Sequence, residues 1–181
     1  MLKNTEKGYG LIAIFTHWLM ALAIFFMFGL GLYMVELTYY DPWYKGALDL
    51  HKSIGIVLLV LLLFRLIWRQ LNVKPAELPG PKLEQAAAKI GHIALYALMF
   101  VIMISGYLIS TADGRPIMVF EIFEVPALPW SFENQEDIVG DIHFWLAWVL
   151  MGFVAGHIGA AIKHQYINKD GGLSRMLKVN K

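Results

Sequence analysis

The sequence predicts an all-α, integral membrane four-helix bundle with both termini in the cytoplasm. Three observations predict it: 58% hydrophobic residues at a mean hydropathy of +0.56, long runs without charge, and basic residues gathered on one side. A chain this apolar, with 16% charged residues, has too little polar surface for an ordinary water-soluble domain.

Each span follows from its charge-free run. The first covers about residues 9–35, because no charge occurs from Gly8 to Val35, longer than the ~20 residues a bilayer helix needs. The second, 49–69, is less clean. Only Ser53 to Phe64 lacks charge, so Lys52 and Arg65 must lie near the interfaces or face the bundle. The runs Ile90 to Ala112 and Ile142 to Ile162 give a third helix at 89–112 and a fourth at 140–164. One domain spans 1–181. The loop Val73 to Leu83, with Pro75, Pro79 and Pro81, is a connection rather than a domain linker. The long extracytoplasmic segment 113–138 carries Ile117, Phe120, Phe123, Leu128, Trp130 and Phe132 among carboxylates. It reads equally as a short interfacial helix covering an outer cofactor or as a loop with aromatic anchors.

Orientation follows the positive-inside rule. Lys3, Lys7, Arg65, Arg69, Lys74, Lys82, Lys89, Lys163, Lys169, Arg175, Lys178 and Lys181 fall on the side of the termini, twelve of the fifteen basic residues. The opposite face has Lys45, Lys52 and Arg115 against Glu36, Asp41, Asp49, Asp113, Glu121, Glu124, Glu133, Glu136, Asp137 and Asp141. A net charge of +1 hides this asymmetry and carries no nucleic-acid signal. A removable signal peptide is not expected, since no small-residue cleavage site follows the first apolar run. The absence of cysteine excludes disulfides, thiolate haem ligation, covalent haem attachment and cysteine-ligated iron–sulfur clusters.

Four of the six histidines fall at matched depths. His143 and His157 are almost four helical turns apart, on one face of the fourth helix, with about 21 Å of rise between them. His51 follows Asp49 as His143 follows Asp141, at the outer ends of their helices. His17 and His157 lie toward the inner ends. An ionisable group inside a membrane segment is costly, and neutral imidazole is a common axial ligand of haem iron. One buried histidine is more often a hydrogen-bonded core residue than a ligand; four at two levels reverse those odds. The pattern gives His51 with His143 for an outer haem iron and His17 with His157 for an inner one. A metal-ion transporter would bring carboxylates to the midplane as well, and no span has one in its interior. Gly29, Gly31, Gly55, Gly106, Gly152 and Gly156 leave room for a flat cofactor or for close helix packing. His92 and His164, beside Lys89 and Lys163, can bond haem propionates, a quinone carbonyl or a proton path, or be wet surface groups. Arg65 and Arg69, on one helical face, can pair with inner propionates or serve only as topology anchors.

Thr16-His17-Trp18, His51-Lys52-Ser53-Ile54-Gly55, Arg65 to Arg69, Gly91-His92 with Tyr96, His143, His157 and the closing Lys169-Asp170-Gly171-Gly172-Leu173-Ser174-Arg175-Met176-Leu177 together resemble the bacterial four-helix cytochrome b561 family over nearly the whole chain. The resemblance implies two b haems, with His17, His51, His143 and His157 as axial ligands. It also implies a multi-pass place in the bacterial inner membrane and electron exchange with ubiquinone, and in one branch oxidation of superoxide at the outer face. Val119-Phe120-Glu121 departs from the pattern, which has glycine after the phenylalanine.

Three functions compete. One is a relay from an extracytoplasmic donor to quinone. A second is a superoxide oxidase, for which Lys52, beside His51, and Arg115 would guide the anion past an acidic face. A third is an anchor subunit passing electrons from a hydrogenase or dehydrogenase. The expected partners are membrane lipid, quinone, and superoxide or a periplasmic electron-donor protein; a homodimer stays open, and nucleic acid is not expected.

Overall fold

The computed structural model describes residues 1–179, so Lys181 lies outside the described residues. Four long helices carry the fold: α1 Leu11–Glu36, α2 Tyr44–Leu71, α3 Lys82–Ser110 and α4 Gln135–Tyr166. All four are long and apolar enough to cross a membrane, with mean hydropathies of 2.2, 2.1, 2.2 and 1.7 over their most apolar windows. Little of those windows is buried, from 22% in α1 to 6% in α3. The apolar side chains therefore face outward, as a lipid solvent requires, while every helix satisfies its own backbone.

The helices run past the charge-free stretches. α2 begins at Tyr44, α3 follows Pro81 with Glu84 in its first turn, and α4 takes in Glu136 and Asp137 at its start and Lys163 and His164 at its end. Charge-free length marks membrane depth, whereas backbone hydrogen bonding continues into water. Acidic side chains at the N-terminus of α4 and basic ones at its C-terminus also suit the helix dipole.

Packing is uneven. α3 lies against α4, α1 against α2, and α2 against α3, but α4 approaches neither α1 nor α2 to a comparable extent. The dry core is small and central: Met20, Leu58 and Leu62, packed with Met27, Ile54, Tyr96, Met99 and Met103 among others. α4 contributes only Val139 and Leu150 to the buried apolar residues. An open slot remains between α4 and the α1–α2 pair.

Both ends are tied. At the end carrying the termini, Asn4 Nδ2 donates to Val73 O, Ala76 N–H to Glu6 O, Arg175 Nη1 to Ala76 O and Trp18 Nε1 to Met176 O. The N-terminal segment, the α2–α3 loop and the short helical turn Ser174–Met176 thus form one layer. The same end has Lys163 and Asn168 on Glu84, and His164 on Asp170 at 2.5 Å. Burial acts to raise the Asp170 carboxyl, but hydrogen bonds from His164 and the Gly172 N–H, with Arg175 nearby, hold it below the usual range.

At the other end, residues 113–138 contain an antiparallel hairpin, β1 Ile117–Val119 and β2 Phe123–Val125, with Val119 facing Phe123. This replaces the interfacial-helix reading. The alternation buried, exposed, buried along β1 has the period of a strand. Ile117 and Val119 pack on α2, and the Phe120 N–H donates to the buried Ser53 Oγ at 3.0 Å. Gln135 pins the start of α4 by donating to Leu108 O and accepting from the Phe132 N–H. The hairpin turns at Phe120 and Glu121, with φ of 48° and 59°, and closes with Ile122 N–H on Val119 O. Two positive φ values define the turn family that favours Asn-Gly. Position 121 is where the resemblance expects glycine, and this backbone supplies the reason.

A left-handed side-chain residue costs about 1–2 kcal/mol, partly offset by the about 0.5–1 kcal/mol of chain entropy that glycine loses on folding. Glu121→Gly is therefore expected to stabilise the protein by about 0.5–1 kcal/mol, read as a higher thermal midpoint in detergent. A lower midpoint would show that the Glu121 side chain holds the turn.

Candidate functional site

The slot beside α4 contains two histidine pairs at different depths. His51 on α2 faces His143 on α4, and His17 on α1 faces His157 on α4; in each pair the ring centres are 6.2 Å apart. Two metal–nitrogen bonds of about 2 Å, with roughly 1 Å from each ligating nitrogen to its ring centre, span about 6 Å. The spacing thus fits one metal ion between each pair of rings. Among the described residues no group of three or more His, Asp or Glu side chains could hold a metal ion; what each level offers is an imidazole pair, a donor set that would suit bis-histidine haem.

The pair nearer the hairpin, outer in the orientation expected from the sequence, opens into a cavity of about 470 Å³, lined by His51, His143, Lys52, Gly55, Gly106 and Trp148 among others. Its walls are mostly apolar, as a porphyrin face requires. Ser105 sets the state of His143. Its hydroxyl lies 2.8 Å from Ile102 O and 2.9 Å from His143 Nδ1. The one hydroxyl hydrogen goes to the carbonyl, so Ser105 Oγ accepts from Nδ1–H and His143 Nε2 keeps its lone pair for a metal. A Cβ at Gly106 would come within 3.2 Å of His143 Cε1, so the ring occupies space that a side chain would take. His51 Nδ1 is buried with no hydrogen-bond partner among the described residues. A ring nitrogen without a polar partner is costly in an apolar bundle, and metal ligation through it would offset that cost.

The inner pair has a different setting. Arg65 points into the bundle, with Nη1 donating to Ala13 O at 2.7 Å and to Thr16 Oγ1 at 2.9 Å, and Nε donating to Tyr96 Oη at 2.9 Å. Its Nη2 lies 3.4 Å from His17 Nδ1. Three neutral acceptors on one guanidinium spread the cost of holding a charge inside the bundle. Arg69 lies over the Tyr96 ring at 5.6 Å. His92 joins the cluster from α3, its ring centre 5.4 Å from that of His157. That is shorter than a shared metal needs, so His17 is the better opposite of His157.

The structure therefore brings together His17, His157, His92, Arg65 and Arg69 at one level, and His51, His143 and Lys52 at the other. It does not bring His164 to either pair; that ring is held between Asp170 and Glu84. Arg115 is ion-paired with Asp113 on the exposed surface beside the hairpin. Trp68 Nε1, one turn from Arg65 on α2, is buried without a hydrogen-bond partner among the described residues. Sequence reasoning missed Ser105, although a lone hydroxyl inside a charge-free span is a usable signal, because it needs an acceptor or a donor close by.

Comparison with known proteins supplies the family. A model of the family described as prokaryotic cytochrome b561 matches residues 8–178. Cytochrome b561 homolog 2 of Escherichia coli K12 is 50% identical over 175 residues, covering 96% of this chain and 93% of that protein. A Yersinia pestis protein named as a probable superoxide oxidase, CybB, is 28% identical over 95% of this chain and 97% of its own length. Cytochrome b561 homolog 1 of Escherichia coli K12 is also 28% identical, over 93% and 96%. A family match over nearly the whole chain carries haem b binding and electron transport with it, and the chain belongs to the prokaryotic cytochrome b561 family as a multi-pass inner-membrane protein.

Proposed function

We propose that the protein carries two b haems, held by His51 with His143 and by His17 with His157, and passes electrons from an extracytoplasmic donor to the ubiquinone pool. The observation that carries this reading is the repeated 6.2 Å spacing of two imidazole pairs stacked along α4. Haem supplies a one-electron couple at each level when bound. The protein's own part is to fix the rings, exclude water from the slot and separate the two levels with the Met20, Leu58 and Leu62 core. The termini face the cytoplasm on this reading, which puts the hairpin and Lys52 on the donor side.

Superoxide is the donor we favour. Two superoxide anions each lose one electron and leave as dioxygen, while ubiquinone takes up two electrons and two protons. Lys52 lines the outer cavity beside His51, whereas Arg115 is occupied by Asp113, so local attraction for an anion rests on Lys52. One observation favours a second reading. The outer face carries ten carboxylates against three basic residues, and such a field suits a basic protein donor, including the hydrogenase or dehydrogenase of an anchor-subunit role. An anchor would copurify with a large partner in mild detergent.

His51→Ala or His143→Ala is expected to remove one haem, and His17→Ala or His157→Ala the other, measured as haem per protein. Full haem content in any of the four would overturn the pairing. Lys52→Glu is expected to slow superoxide-driven haem reduction in rapid mixing; an unchanged rate at low ionic strength would remove Lys52 from anion guidance. Ser105→Ala is expected to weaken outer-haem retention by roughly tenfold, at the lower end of the loss that ligand-orienting partners produce. Unaltered retention on dilution would show that the Ile102 carbonyl alone suffices.

A further inference from the structure

We propose that Arg65 holds the inner haem at the higher reduction potential of the two, so that an electron arriving at the outer level runs downhill to the inner one. The inference rests on the two-haem reading above and adds a direction to it.

Arg65 is a fixed cation. Its strong hydrogen bonds go to Ala13 O, Thr16 Oγ1 and Tyr96 Oη, all neutral, and no carboxylate lies within ion-pair distance of it among the described residues. Of the four side-chain carboxylates at that end, Glu84 is engaged with Lys163 and Asp170 with His164, and neither Glu6 nor Glu77 is ion-paired with Arg65 among the described residues. No protein carboxylate among the described residues therefore cancels the charge where it sits, and a guanidinium does not lose its proton. Its Nη2 lies 3.4 Å from the His17 ring, inside a bundle where a charge acts more strongly than in water. Arg69, one turn further on, adds a second cation beside Tyr96.

The outer level has no equivalent. His143 Nδ1 meets the neutral Ser105 hydroxyl, and His51 Nδ1 has no hydrogen-bond partner among the described residues. Lys52 lines this cavity as a cation, but among the described residues no hydrogen bond ties its ammonium to His51 or His143, and its flexible stem is not braced as the Arg65 fork is. Reduction of a bis-histidine iron site lowers its positive charge by one. A permanent cation against one ligand and not against the other pair therefore favours the reduced form at the inner level. With both haems bound, one electron would pass from the outer to the inner level, oxidising the first iron and reducing the second, with no bond broken and no proton taken up.

The test is a redox titration of the purified protein, following the haem absorption bands, in wild type, Arg65→Gln and Arg65→Lys. His51→Ala, which keeps the inner haem alone, assigns the waves. Arg65→Gln is expected to lower the inner potential by about 59 mV or more, a tenfold change in a one-electron equilibrium, and to leave the outer potential in place. Arg65→Lys is expected to stay near wild type. An unchanged inner potential in Arg65→Gln, or equal shifts in the Gln and Lys variants, overturns the proposal while leaving two haems standing. If Arg65→Gln does not accumulate, wild type and His51→Ala decide it: an inner potential below the outer one overturns it. A wild-type preparation with one haem overturns both this proposal and the two-haem reading.

Discussion

The structure depends on α4 standing off from α1 and α2. In lipid, apolar side chains gain little by leaving the solvent, so no hydrophobic force closes a bundle around an empty centre. Close packing of α3 with α4 and of α1 with α2, joined through α2 and α3, fixes the outline. What remains along α4 is a slot whose polar contents are chiefly imidazoles. The two levels of that slot are set by the four-turn repeat from His143 to His157.

Polar groups in such a bundle must find partners within it, and the partners differ by level. At the outer level they are neutral and short: the Ser105 hydroxyl meets the His143 ring, and the Ser53 hydroxyl takes the hairpin's Phe120 N–H. At the inner level a guanidinium ties α1, α2 and α3 together through Ala13, Thr16 and Tyr96. Arg65 is therefore both a brace and a local field, and it acts on one histidine pair only. The vertical asymmetry of surface charge is matched by an asymmetry of charge inside.

The two ends of the bundle are closed by different means. The hairpin is held on α2 by β1 and by one backbone hydrogen bond to Ser53, at the price of two left-handed residues. The opposite end is laced by side chains from segments far apart in sequence, Asn4 to Val73 and Arg175 to Ala76. His164, which the sequence offers as a cofactor contact, serves in this lacing beside Asp170 and Glu84.

By itself the sequence determined four spans, their approximate depth and the matching of His51 with His143 and of His17 with His157 by level. Those properties are local or periodic: charge-free length fixes a span, and 3.6 residues per turn fixes a face. Tertiary structure alone decided what each imidazole meets. Ser105 lies 38 residues from His143 and Arg65 lies 48 from His17, and no periodicity links them. It also decided the hairpin over residues 117–125, because a strand there is stabilised by packing on α2 and by Ser53, not by local helix preference. The place of His92 against His157 belongs to the same class, since it depends on the rotation of α3 about its axis, which the packing against α2 and α4 sets.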